Sequence, residues 1–201
     1  KDILFENGNL IISDESGNII VYSIKKKKII AKYNFYKKKY KKIKKRLNLY
    51  VENSTIYVSD NIGYLYSFNY LNKKINWAQN IKIPFSSNLK IISNKILTSD
   101  QNNNLYFFDK NNGQNLKLIP TETITLKNKF QNNLSITSKN DLLFLNSYGS
   151  LYSINLDIMD INWFINLNQS LDLSKTNLFP GSKIINNDLN IVVSSNNNSY
   201  I

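Results

Sequence analysis

Cysteine and histidine are both missing from this 201-residue chain. Without cysteine there is no disulfide framework, no cysteine zinc site and no thiol nucleophile. Without histidine the commonest general base and the commonest transition-metal ligand are gone. Lack of cysteine does not by itself assign a compartment. No apolar run approaches the ~20 residues that a membrane-spanning helix needs. Helical periodicity is equally scarce: 36–46 is the only candidate, and it lacks an apolar stripe. Arginine occurs once, at Arg46, and glycine only 6 times. What fills the chain instead is 35 Asn, 28 Ile and 25 Lys, all with AT-rich codons, so much of the composition reads as genome bias. Asparagine then stands at turns where glycine or aspartate is usual, because it tolerates the left-handed region. With 42% hydrophobic and 12% aromatic residues, the chain is globular.

What is present is a repeat. Residues 48–66 read NLYVENSTIYVSDNIGYLY, and 2–20 read DILFENGNLIISDESGNII in the same register 46 residues earlier. Residues 88–106, NLKIISNKILTSDQNNNLY, follow 40 residues later without a gap. A fourth copy ends DLLFLNSYGSLYSIN at 141–155, placing Gly149 under Gly63 and Tyr152 under Tyr66. A fifth begins at Lys183 and reaches Tyr200 and Ile201 in the middle of its motif. Periods of this length that hold several short strands mark a radial or stacked repeat protein. The third copy parses into strands at 88–92, 95–99, 104–109 and 114–119, separated by turns rich in Asn, Asp, Ser and Gly. Each repeat is therefore expected to form one antiparallel meander, with little helix anywhere. Gly17, Gly63 and Gly149 mark the recurring turn; Leu65-Tyr66, Leu105-Tyr106 and Leu151-Tyr152 mark the recurring contact between repeats.

The motif resembles the quinoprotein-type β-propellers with PQQ-like repeats, whose repeat runs strand, turn, VYVxxxDGxLYALD, xxTGKxxW. The best copy here is YVSDNIGYLYSFNYLNKKINW at 57–77. SYGSLYSINLDIMDINW at 147–163 shares its eight-residue step, Asn69 to Trp77 and Asn155 to Trp163. Asp109 to Gln114 matches the turn, with Asn112 for the usual Thr. The resemblance covers the whole chain. It implies an all-β fold: a β-propeller of four-stranded antiparallel blades at about 2–31, 47–78, 87–119 and 133–164, with a partial fifth over 182–201. All of 1–201 would be one propeller fragment, an open arc of about half an eight-bladed ring from a parent of more than 350 residues. Because the chain starts at Lys1, an export signal or lipid-anchoring cysteine is expected upstream.

Charge is concentrated rather than spread. Of 26 basic residues, 13 fall between 25 and 46, where no acidic residue occurs; the rest of the chain holds 13 basic and 14 acidic residues. The net charge of +12 thus belongs to the 25–28 turn and the connection 36–46, YKKKYKKIKKR. Lys37, Lys38, Lys39, Lys41, Lys42, Lys44, Lys45 and Arg46 are candidate partner contacts, on the face of the Asp14, Asp60 and Asp100 turns. Clustered lysines attract an acidic protein or an anionic membrane surface over a Debye length. A solvated, compositionally biased loop is the competing reading. Nucleic acid is disfavoured, because one loop is a small footprint even with Tyr36 and Tyr40 interleaved.

The remaining candidates read as structural. Asp14, Asp60 and Asp100 recur on separate repeats, and an Asp after a strand usually bonds its own turn. Trp77 and Trp163 are expected to pack between blades with their N–H groups on backbone acceptors; Ala31 and Lys117 occupy the corresponding places in copies one and three. No catalytic, metal or cofactor residue is assigned. The resemblance implies a non-catalytic interaction scaffold, like the BamB-like lipoproteins that assist outer-membrane β-barrel assembly. Partners would be subunits of that machinery or client barrel proteins, at the periplasmic side of the outer membrane. The alternative is a fragment of a PQQ-dependent dehydrogenase, whose family members use a calcium-bound quinone, an Asp base and commonly a vicinal Cys pair. A WD-repeat propeller is more remote, since Trp-Asp pairs are absent.

Overall fold

Asn7 and Gly8 both take positive φ, at 49° and 73°, and so do Asn53 and Ser54, at 51° and 63°. Two left-handed residues in a row make the tight hairpin turn whose twist matches that of its flanking strands. The first pair joins β1 (Leu4–Glu6) to β2 (Asn9–Ser13), and the second joins β5 (Leu47–Glu52) to β6 (Thr55–Asp60). In this computed structural model, which describes residues 3–122, 130–167, 178–187 and 189–194 and only the backbone at Lys39, the strands form four complete sheets. Asp2 and the end of the fifth repeat beyond 194 lie outside the described residues.

The first sheet is completed by β3 (Asn18–Ser23) and β4 (Lys28–Asn34), the second by β7 (Tyr64–Asn69) and β8 (Lys74–Asn80). The third consists of β9 (Lys90–Ile92), β10 (Lys95–Ser99), β11 (Leu105–Asp109) and β12 (Asn115–Ile119). The fourth holds β13 (Asn133–Ile136), β14 (Asp141–Leu145), β15 (Ser150–Asn155) and β16 (Asp160–Asn166). In all four, strands pair in chain order and antiparallel. A short pair, β17 (Ile185–Asn186) and β18 (Ile191–Val192), follows. Helix is limited, among the described residues, to a 3-10 turn at Lys38–Tyr40.

A bulge recurs at one place in every sheet. The third and fourth strands shift register between Val21 and Tyr22, Ser67 and Phe68, Phe107 and Phe108, and Ser153 and Ile154. Opposite the residue before each bulge stand Ala31, Trp77, Lys117 and Trp163. An extra residue on one strand bends it and re-aims the side chain beside it. The tryptophan position is thus set by backbone geometry common to all four repeats.

Internal contacts divide the chain into two units, Lys1–Phe85 with Lys110–Gln114, and Ser86–Asp109 with Asn115–Ile201. In the first, Ile11, Ile19, Val21 and Ala31 of one sheet pack on Ile56, Val58, Tyr66 and Phe68 of the next. In the second, Leu97, Leu105 and Phe107 meet Leu134, Phe144 and Tyr152, while Leu143, Leu145 and Leu151 pack on Phe179, Ile184 and Val193. Middle strands β6, β7, β10, β11, β14 and β15 are buried nearly throughout. Covering both faces is what removes the polar–apolar alternation from their sequences. By contrast β3 alternates strictly, burying Ile19, Val21 and Ser23, as a sheet packed on one face does.

Candidate functional site

Four turns share one hydrogen-bond pattern. Asp14 Oδ1 accepts from the N–H groups of Ser16 and Asn18, both at 2.9 Å, and Asp60 Oδ1 from those of Ile62 and Tyr64, both at 2.8 Å. Asp100 Oδ1 takes Asn102 N and Asn104 N at 2.8 and 2.9 Å, and Asn146 Oδ1 takes Tyr148 N and Ser150 N at 3.0 Å each. The residue three further on, Gly17, Gly63, Asn103 or Gly149, donates its N–H to the same residue's carbonyl and holds φ of 86°, 98°, 67° and 83°. A side chain that bonds its own backbone two and four residues on substitutes for a backbone turn. One oxygen of each carboxylate is therefore occupied by its own turn. Among the described residues no group of His, Cys, Asp and Glu is arranged to hold a metal ion.

The basic connection is pinned at both ends. At its start Tyr36 N donates to Asn34 Oδ1 at 2.9 Å, and Asn34 Nδ2 donates to Ser16 O at 3.0 Å. At its end Lys45 N donates to Glu15 O, Arg46 N to Asn61 Oδ1, and Asn61 Nδ2 to Lys44 O, at 2.8, 2.8 and 3.0 Å. Within the first unit the connection thus lies beside the turns of Asp14 and Asp60; Asp100 belongs to the second unit. Tyr36 is the central strut. Its ring lies where a Cβ on Gly17 would come within 2.5 Å, and its hydroxyl donates to Asp60 Oδ2 at 2.6 Å. Burial pushes the Asp60 carboxyl above its ordinary range, opposed by the hydrogen bonds from Tyr36 and the turn N–H groups. Burial, with the neighbouring Tyr66 and Asp60, raises the Tyr36 phenol far above its usual value. Tyr40 Oη and Tyr64 Oη lie 3.1 Å apart, a second tie between connection and sheet.

The eight candidate cations separate into kinds. Lys37, Lys38, Lys41, Lys42 and Arg46 are exposed. Lys44 pairs with Glu15 at 3.3 Å across a solvated surface, where such pairs contribute little. The Lys39 side chain lies outside the described residues. Lys45 requires a correction: instead of facing solvent as a contact, it is only 3% exposed. Its Nζ donates to Tyr40 O and stands 5.4 Å from the Tyr36 ring centroid, a cation–π geometry. Ser16, Asn34, Tyr36, Lys37, Lys38, Lys41 and Lys45 line a cavity of about 440 Å³.

The two tryptophans also part company. Trp77 Nε1 donates to Lys110 O at 3.0 Å, and its ring lies where a Cβ on Gly113 would come within 2.4 Å. Glu52 holds the same turn through Lys110 Nζ at 2.9 Å. Trp163 does not follow: it stays 44% exposed and borders a cavity of about 180 Å³ with Thr137, Asp141, Asn187 and Leu189. Among the described residues no turn covers it as 110–114 covers Trp77. Tyr66 and Tyr152 lie in the two cores, and Tyr106 Oη reaches Asp100 Oδ2 at 3.0 Å.

One polar network was not visible in the sequence. Ser150 Oγ and Asn146 Nδ2 donate to Glu122 Oε2, at 2.5 and 3.2 Å, and Ser147 Oγ bonds Asn103 Oδ1 at 2.9 Å. Its only sequence signal is Asn103, an asparagine at a position held by glycine in the other three turns.

No protein-family model matches the chain, and no curated protein sequence matches it. Solved structures do. The crystal structure of BamB from Moraxella catarrhalis aligns with a TM-score of 0.71 at 12% identity, over 96% of this chain and 54% of that one. The fold is a β-propeller. A β-propeller domain, that of Cps50 (Swd1) from Myceliophteria thermophila, aligns at 0.67 and 10% identity, over 96% and 62%. A computationally designed protein, Ika8, aligns at 0.61 and 10% identity, over 98% and 68%. The chain thus spans little more than half the length of BamB. At these identities the likeness speaks for blade architecture and leaves activity to the site itself.

Proposed function

We propose that this chain is part of a non-catalytic β-propeller scaffold that binds proteins. In the finer form the BamB likeness suggests, it assists outer-membrane β-barrel assembly from the periplasmic side. One observation carries the reading: one oxygen of each repeated carboxylate, Asp14, Asp60 and Asp100, is bonded to its own turn, while eight of the 13 clustered positive charges sit on a connection tied to two neighbouring blades. Recognition is commonly carried by loops that a rigid framework positions. Partners in this reading are assembly-machinery subunits or client barrel proteins with acidic surfaces, and secondarily an anionic membrane. Lys37, Lys38, Lys41, Lys42 and Arg46 make the contact.

The test separates this scaffold from a quinone-dependent dehydrogenase. Addition of pyrroloquinoline quinone with calcium should leave the Tm of the chain unchanged. A saturable upward shift, which ligand binding to the native state produces, would contradict the reading.

A further inference from the structure

The cavity under the basic connection has a lining that a solvated loop does not need. Four of its residues, Lys37, Lys38, Lys41 and Lys45, are cationic, and no carboxylate lines it. None of the four lies within ion-pair distance of a described carboxylate; Lys44, which pairs with Glu15, is outside the lining. Lys45 is the decisive residue. Lysine is almost never fully buried unless paired, yet this one is 3% exposed and spends a hydrogen bond on Tyr40 O. An ammonium has three donors. Tyr36, fixed by Gly17 and Asp60, forms the firm wall beside it.

We infer that this cavity is a binding site for a compact, multiply charged phosphate. Like charges gathered about one concavity raise its potential, and an anion bound there relieves their repulsion. Lysine ammonium groups are compact point charges that can converge on several oxygens of one phosphate. A volume of about 440 Å³ takes one small anionic group. The site is complete within the first unit, so it does not depend on the scaffold reading.

The two sources of such a group, a soluble phosphate and a lipid headgroup, are separated by the same experiment. Pyrophosphate is titrated calorimetrically into the full chain, into a Lys37→Gln/Lys38→Gln/Lys41→Gln variant, and into a Lys25→Gln/Lys26→Gln/Lys28→Gln variant. The second triple removes equal charge at the other end of β3 and β4. All six side chains are exposed, so both variants should fold. The expected result is saturable binding at one site per chain, weakened about tenfold or more by the first triple and left nearly intact by the second. Absence of saturable binding, or equal weakening by both triples, overturns the proposal. In the lipid arm, phosphatidylcholine vesicles carrying phosphatidic acid are sedimented with the chain. Binding that pyrophosphate displaces identifies a headgroup site; pyrophosphate binding without vesicle binding identifies a soluble ligand.

Discussion

Tyr36, Asp60 and Lys45 decide how the basic connection is held. Asp60 is buried with its carboxyl raised above the ordinary range. A carboxyl raised in the folded state favours folding fully below its unfolded pKa and loses that contribution as pH climbs through the raised value. Wild-type stability should therefore fall as pH rises from the ordinary carboxylate range through the raised value. Asp60→Asn should flatten the fall, because Asn146 already makes the same two turn bonds in the fourth repeat; urea midpoints across pH 4 to 8 measure this. Tyr36→Phe, which strips one bond from the buried carboxylate, should cost about 1–3 kcal/mol at neutral pH and less in acid. Lys45→Ala should destabilise by a similar amount, whereas Lys42→Ala should stay within about 0.5 kcal/mol. The Asp turns were legible in the sequence because their bonds span two and four residues. The burial of Lys45 was not. In the sequence it is one cation among eight, and only the packing of Tyr36 against Gly17 and the return of the chain to Glu15 distinguish it.

At the scale of the element, the bulge between third and fourth strands explains why one position carries Ala31, Trp77, Lys117 or Trp163. The eight-residue step from Asn69 to Trp77, repeated from Asn155 to Trp163, is its trace in the sequence. Strands β9 to β12 lie within two residues of the limits that turn composition set, since Asn, Asp and Gly mark left-handed positions directly. Equal spacing did not bring equal packing, however. Trp77 has the 110–114 turn against it, and Trp163 has half its surface in solvent. Trp77→Ala should accordingly cost about 3–5 kcal/mol in chemical denaturation, and Trp163→Ala less than about 1 kcal/mol. Gly113→Ala should also destabilise, by about 1–3 kcal/mol, since its φ is 72° and a Cβ would enter the indole ring.

For the whole molecule, the same repeat that builds the blades leaves one connection free to differ. Twenty-two residues, 25–46, carry 13 positive charges, and the rest of the chain is nearly neutral. Such asymmetry steers encounter with an acidic partner and makes the association rate depend on salt. The propeller was readable from sequence because four copies of one motif align; the partner was not, because the loop that differs belongs to no repeat. The most direct test immobilises the chain and measures binding of purified β-barrel assembly subunits and of an unfolded barrel client by surface plasmon resonance. The scaffold account predicts saturable binding to at least one of them. Its association rate should fall steeply between about 50 and about 500 mM salt, and binding should be lost in a folded variant with Lys37, Lys38, Lys41 and Lys42 replaced by Gln. No saturable binding to any of these proteins, or binding untouched by that variant, would contradict it.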